Sequence, residues 1–236
     1  MVKYKRILLK LSGESLMGEL PCGIDTRQLE YYTSRLREMT DLGVETAVVI
    51  GGGNIFRGLP GTKKGFDRYK GDQMGMLATV INGLAIQSSL ESAGIRTTVF
   101  SAIHMEPVCE YYSASRAMQS LTEGNITVLT FGTGNPYFTT DTAAALRAVE
   151  IKAEVLLKGT RVDGVYTTDP EKDPLAKKFE HLTFDDAYNK NLKIMDLTAF
   201  TLCRENNLPV VVFNINQPDN LKKIIMGEEI GTVIKN

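Results

Sequence analysis

The sequence predicts an α/β fold, a mainly parallel sheet covered by helices. Three observations predict it. Short apolar runs alternate with stretches of helical spacing along the whole chain. Several runs are continuously apolar, as strands buried on both faces are. Glycine-bearing segments close four of the runs, at the place where open α/β sheets bind ligands.

The strand-like runs are Arg6–Leu11, Glu45–Ile50, Ile95–Phe100, Ile126–Thr130, Val155–Lys158, Pro209–Phe213 and Thr232–Ile234. After the first, Asp25 offers an N-cap with Gln28 three residues on, a capping-box spacing. Leu29, Tyr32, Leu36 and Met39 then follow on one helical face, and Gly43 stands where a C-terminal glycine belongs. Asp72–Ala93 reads as a long helix closed by Gly94, and Asp141–Glu150, Asp196–Asn206 and Pro218–Met226 as further helices. Such β-α-β alternation argues for parallel strands. The polar stretch from Gly164 to Phe184 reads as a hairpin or flap. No linker, repeat or low-complexity tract interrupts residues 1–236, so one domain is expected.

Composition narrows the function. Hydrophobic residues make up 43% of the 236-residue chain, enough for a core. A net charge of -1 gives no overall basic field for nucleic acid. Cys22, Cys109 and Cys203 lie far apart, so neither a zinc site nor a disulfide framework is expected. The basic N-terminus has too short an apolar run for a secretory signal. No stretch is long and apolar enough to span a membrane, and a cytoplasmic location is expected.

The four glycine segments are Lys10-Leu11-Ser12-Gly13, Gly51-Gly52-Gly53-Asn54, Gly132-Thr133-Gly134-Asn135 and Lys158-Gly159-Thr160. One glycine run alone is as readily a tight turn. Four at four strand ends point to an anion held by backbone N–H groups. The Walker pattern is absent, and Phe56 stands where a dinucleotide motif needs glycine. Lys10, near a strand end, can place a point charge on a phosphate, and Arg57 and Lys158, each beside a glycine, can supplement it. Thr139 and Thr140 precede a helix and offer phosphate donors. Asp141 opens that helix, either as a first-turn acid facing the dipole or as a carboxylate that holds the lysines. Asp196 opens another helix with the same two readings. Tyr166, near Asp169-Pro170, offers a flat face to a base. His104 and His181 stand isolated.

This equipment suits phosphoryl transfer, which needs positioning and charge neutralisation more than covalent work by the protein. Mg2+ carried by nucleotide phosphates completes it. The acceptor stays open on these grounds. A carboxylate or carbamate kinase, or a non-catalytic nucleotide- or oxyanion-binding protein, fits the same loops.

Six segments go further: Lys10–Glu14, Val48–Gly58 (VVIGGGNIFRG), Gly71–Ala85 (GDQMGMLATVINGLA), Gly132–Ala148 (GTGNPYFTTDTAAALRA), Leu156–Pro170 (LLKGTRVDGVYTTDP) and Met195–Leu202 (MDLTAFTL). Together the chain resembles the bacterial uridylate (UMP) kinases of the amino-acid-kinase superfamily. The resemblance implies a three-layer α/β/α sandwich with a mainly parallel central sheet of about eight strands. It implies transfer of the ATP γ-phosphate to UMP, giving UDP and ADP, with Mg2+ carried by ATP and no metal site made by the protein. It implies a homohexamer, inhibition by UTP and, in many members, activation by GTP. Where proteobacterial members use basic residues for GTP, this chain has Gln87, Glu91 and Thr98. By motif position, Lys10, Leu11, Ser12, Gly13, Gly53, Arg57, Thr160, Tyr166 and Asp169 belong with ATP. Gly52, Asp72 and the loop Thr133, Gly134, Asn135, Pro136, Tyr137, Phe138, Thr139 and Thr140 belong with UMP. Lys10, Asp141 and Lys158 form the catalytic set, with Asp196 a possible addition.

Overall fold

A computed structural model describes residues 1–56, 65 and 67–236. Strand β1 (Arg6–Leu11) leads through a 3-10 turn (Gly13–Leu16) to helix α1 (Thr26–Asp41) and β2 (Glu45–Ile50). Then come α2 (Arg68–Ser92), β3 (Thr97–Ser101), β4 (Glu110–Tyr111), α3 (Ala114–Thr122), β5 (Ile126–Thr130), α4 (Thr140–Glu150) and β6 (Val155–Thr160). The short strands β7 (Val165–Tyr166), β8 (Lys178–Phe179) and β9 (His181–Thr183) precede α5 (Phe184–Asn189) and α6 (Leu197–Glu205). The described chain closes with β10 (Val210–Asn214), α7 (Asn220–Met226) and β11 (Thr232–Lys235).

Nine strands form the main sheet in the order β4-β3-β5-β2-β1-β6-β10-β11-β9, one more than the count of about eight that the resemblance implies. Every pairing in it is parallel except β10 with β11. Strands β5, β2, β1 and β6, which carry the four glycine segments, are consecutive neighbours. Their loops therefore open side by side at one edge of the sheet.

Helices cover both faces, and the period-2 alternation of each strand sorts its side chains between two cores. Ile7, Leu9 and Leu11 join the layer with Tyr32 and Leu36 of α1 and Met76 and Val80 of α2. Leu8 faces the other way, into the layer with Ala144, Ala145 and Ala148 of α4 and Ala199 and Cys203 of α6. The same parity puts Lys10 on the α4 side, one residue from the strand end. Buried Cys203, whose thiol is pushed up to about 12 by desolvation, is a packing residue of that layer.

Several boundaries differ from the sequence reading. Lys158-Gly159-Thr160 lies within β6, because Gly159 and Thr160 continue the ladder against Phe213 and Asn214. Helix α2 starts a turn earlier than Asp72, where the Asp67 carboxylate caps the Lys70 N–H. Thr139, not Asp141, caps α4, and it accepts from the Asp141 and Thr142 N–H groups. The polar stretch from Gly164 to Phe184 holds the β7–β8 antiparallel ladder as expected, and also β9, which pairs with β11. Helices α3 and α5 are additions.

Candidate active site

Lys10 and Lys158 are register partners on adjacent parallel strands, so their side chains leave the sheet on the same face. Two ammonium groups so placed repel. Asp141, in the first turn of α4, lies between them. Its Oδ1 is 2.9 Å from Lys10 Nζ and its Oδ2 is 2.5 Å from Lys158 Nζ. All three side chains are mostly shielded, at 14%, 12% and 17% exposure for Lys10, Lys158 and Asp141. Lys158 Nζ also donates to the Ile194 carbonyl at 2.5 Å.

The electrostatics follow from that geometry. Burial alone would raise the Asp141 carboxyl, but the Lys10 and Lys158 charges outweigh it and hold the group below its ordinary value. Burial lowers the Lys158 ammonium, with the Lys10 charge adding to the shift and Asp141 opposing it. Asp141 thus bridges the pair of lysines, and the Asp196 carboxylate adds a weaker negative charge at Lys158.

Backbone surrounds this centre closely. A Cβ added at Gly13 would lie 2.5 Å from the Gly51 carbonyl oxygen and 2.8 Å from the Gly53 nitrogen. Only glycine lets these two loops meet. Behind them Asn54 and Asn82 form a reciprocal amide pair, with N···O distances of 3.0 and 2.8 Å. Their second N–H groups reach the Gly23 and Gly51 carbonyls at 2.9 and 2.7 Å. Asn82 is fully buried and Asn54 is 2% exposed, so the pair ties the glycine loop to α2 without solvent.

Three clefts adjoin the centre, and the third, about 720 Å³, is lined by Thr139, Asp141, Ile194 and Asp196. The first, about 340 Å³, is lined by Gly52, Gly53, Asp72, Thr133 and Tyr137 through Thr140. Asp72 Oδ2 accepts from the Tyr137 N–H at 2.9 Å and lies 3.5 Å from Arg68 Nε, and the Arg68 guanidinium sits 5.2 Å from the Tyr137 ring centroid. Gly134, Asn135 and Pro136 belong to the same loop but do not line the cleft. The second cleft, about 590 Å³, is lined by Lys158, Thr160, Tyr166, Asp169 and the segment from Asn191 to Ile194. Tyr166 donates its hydroxyl to Asp163, which pushes its pKa up to about 12. Asp169 binds Lys172 at 3.1 Å. Leu11 is buried core, and the Ser12 backbone carbonyl accepts from the Ser15 N–H and hydroxyl at the start of the 3-10 turn, with no cap from the Ser12 side chain. Arg57 lies outside the described residues.

Asp196 caps α6 through the Ala199 N–H at 2.9 Å, and its other oxygen accepts from Thr142 Oγ1 at 2.8 Å and from the Thr139 hydroxyl. Sequence reasoning missed Arg68 and the Asn191–Ile194 wall. Arg68 stands one helical turn before Asp72, so i,i+4 spacing is the signal that could have found it. The Asn191–Ile194 wall carries no motif.

The family of the chain is decided by comparison with known sequences. The Amino acid kinase family matches residues 5–214. The chain belongs to the amino acid kinase family. Within the family it is similar over its full length to proteins called uridylate kinase. The one from Bacteroides thetaiotaomicron is 59% identical and that from Parabacteroides distasonis 58%, each covering 100% of both chains. Among solved structures of the family, a UMP kinase from Bacillus anthracis superposes with TM-score 0.95 at 37% identity, covering 98% of this chain and 96% of that one. A UMP kinase from Ureaplasma parvum gives 0.93 at 36%, covering 98% and 99%. The mostly parallel sheet flanked by helices is the amino-acid-kinase fold.

Proposed function

We propose that the chain is a UMP kinase that transfers the ATP γ-phosphate to UMP, giving UDP and ADP. The observation that carries this is the Lys10–Asp141–Lys158 centre set between two clefts, with Thr140 on one and Lys158 on the other. The full-length relatives called uridylate kinase support UMP as the acceptor.

In this reading UMP occupies the cleft between Asp72 and the Thr133–Thr140 loop, with the Asp72 carboxylate on the ribose. Gly52 and Gly53 stand at the edge of that cleft, where their backbone can meet phosphate. ATP occupies the cleft beside Thr160, Tyr166 and Asp169. A UMP phosphate oxygen attacks the γ-phosphorus, the bond to the β,γ-bridging oxygen breaks, and ADP leaves. Lys10 and Lys158 neutralise the charge that spreads over the transferring group, and Asp141 holds both ammonium groups in place.

Mg2+ enters this site on the ATP phosphates. Bound there, Mg2+ supplies further neutralisation of phosphate charge. We also propose that residues 1–236 act as one domain in the cytoplasm and assemble as a homohexamer. Exposed Met74, Leu77 and Ile81 on α2 support self-association. UTP is proposed to inhibit at the UMP cleft. GTP activation is proposed to be weak, since Gln87 spends its amide on Glu91 and the Thr97 carbonyl and offers no positive charge.

A coupled ADP-release assay with UMP, CMP, dTMP and aspartate as acceptors tests the reading. Turnover with UMP well above the others is expected. Preference for aspartate would move the chain to the carboxylate kinases, and no turnover with UMP would sink the proposal.

A further inference from the structure

The turn after β5 leaves ordinary backbone conformation twice in succession. Phe131 has φ 61° and Gly132 has φ 59°, both left-handed. Glycine adopts that conformation freely, whereas phenylalanine is strained there. Such strain persists only where the surroundings enforce it, and it concentrates at ligand clamps.

Two side chains enforce it from opposite faces of the sheet. On the α2 side, Thr79 Oγ1 accepts from the Phe131 N–H at 2.8 Å and donates to the Met76 carbonyl at 2.6 Å. On the α4 side, Arg147 donates to the Gly132 carbonyl at 3.2 Å and to Glu150 at 2.7 Å. Arg147 is only 6% exposed, and its guanidinium lies 3.9 Å from the Tyr112 ring centroid. The Tyr112 hydroxyl donates to the same Glu150 oxygen at 2.6 Å. A buried arginine with its carboxylate and an aromatic face supplied is a placed group, not a surface charge. Nothing in the transfer chemistry uses it. Its remaining bond goes to the turn that launches the Thr133–Thr140 loop.

We propose that Arg147 and Thr79 are positioning residues for acceptor binding. They lock Phe131–Gly132 and so fix the loop over the first cleft. Arg147 does this without lining the cleft. The lock also indexes the loop to the helices that carry Asp72 and Asp141. The inference rests on the reading that the first cleft takes the monophosphate acceptor. Its signature is one-sided, because the donor cleft lies beside Tyr166 and Asp169 and shares no residue with this turn.

Steady-state kinetics on the full-length protein, with UMP and ATP varied in turn, test it. Arg147→Met is expected to raise the KM for UMP roughly tenfold, as loss of one charged hydrogen bond does, with the KM for ATP within about twofold. Arg147→Lys keeps the charge but not the fork, and recovers part of the loss. Thr79→Val raises the KM for UMP, and Thr79→Ser, which keeps the hydroxyl, stays near wild type. Should Arg147→Met fail to fold, Arg147→Lys carries the test, because Thr79 itself lines the first cleft and its variants also act by direct contact. An unchanged KM for UMP in the folded variants, or an equal rise for both nucleotides, overturns the lock. A wild-type chain that does not turn over UMP overturns the acceptor reading instead, and the lock is then judged on the KM of the acceptor it does use.

Discussion

Asp141 holds its lysines at 2.9 and 2.5 Å, and the pH behaviour of the centre follows from the signs of the shifts. The Asp141 pKa in the fold lies below 3.8, because the lysine charges overcome burial. Its ion pairs therefore stabilise the protein above that pH, and the contribution is lost as pH falls through the folded value. Lys158 runs the other way. Burial lowers it from 10.5, so its protonated form weakens the fold, and stability rises with pH between the folded value and 10.5. Asp141→Asn removes the group that opposes this lowering. We expect kcat to fall and its alkaline limb to move to lower pH, read from a kcat–pH profile. An unmoved limb would show that Lys158 does not depend on Asp141. At this scale Lys10 was legible, since a cation within an apolar strand stands out. Asp141 was half legible, because an acid in a first turn serves the helix dipole equally well until the neighbouring lysines are in place. Arg147 was not legible. A helical arginine reads as surface until the face it packs on is known.

The elements that matter are the four strand ends and the helices behind them. Three of the four strands carrying the glycine segments, β1, β2 and β5, begin and end where their apolar runs do, since both faces of each are buried. Strand β6 runs past its apolar residues because β10 offers it a ladder, a tertiary effect that periodicity does not contain. Helix α3 was missed for a local reason. It is a short helix of nine residues, and the Ser113 cap on the Arg116 N–H is clear only once the chain is folded. The contact between the Gly13 and Gly51 loops gives a sharp prediction. Gly13→Ala forces a Cβ to 2.5 Å from the Gly51 carbonyl oxygen, so the two loops must part. Activity should fall by ~10-fold or more while thermal unfolding shows a folded protein, since a displacement of ~1 Å in a positioning element has effects of this order. Activity near wild type would mean the loops do not act together. Asn82→Asp tests the support behind them. It removes the donors to Gly51 and Asn54 and should lower the Tm and weaken nucleotide binding by calorimetry, whereas a lower Tm with unchanged binding would limit the pair to stability.

Across the whole molecule, the parallel sheet sets four loops side by side, and its two faces deliver different parts to them. The α2 face contributes Asp72 and Thr79, the α4 face Asp141 and Arg147. The fold class and the phosphate-binding edge could be read from alternation and glycine placement. The acceptor could not, because a cleft is lined by residues far apart in sequence, and it came from resemblance. Assembly is a separate claim at this scale. Sedimentation of the purified protein should give a mass near six times the 26.0 kDa chain, and a monomer mass would contradict the proposed homohexamer. The central claim is that Lys10 stabilises the transferring phosphoryl group between two bound nucleotides. Single-turnover transfer from labelled ATP to UMP by wild type and Lys10→Ala, with the UMP Kd of each from calorimetry, tests it most directly. The account predicts a rate lower by ~10²-fold or more, about 2.7 kcal/mol of transition-state stabilisation, with UMP affinity little changed. Near-normal transfer by Lys10→Ala would contradict it.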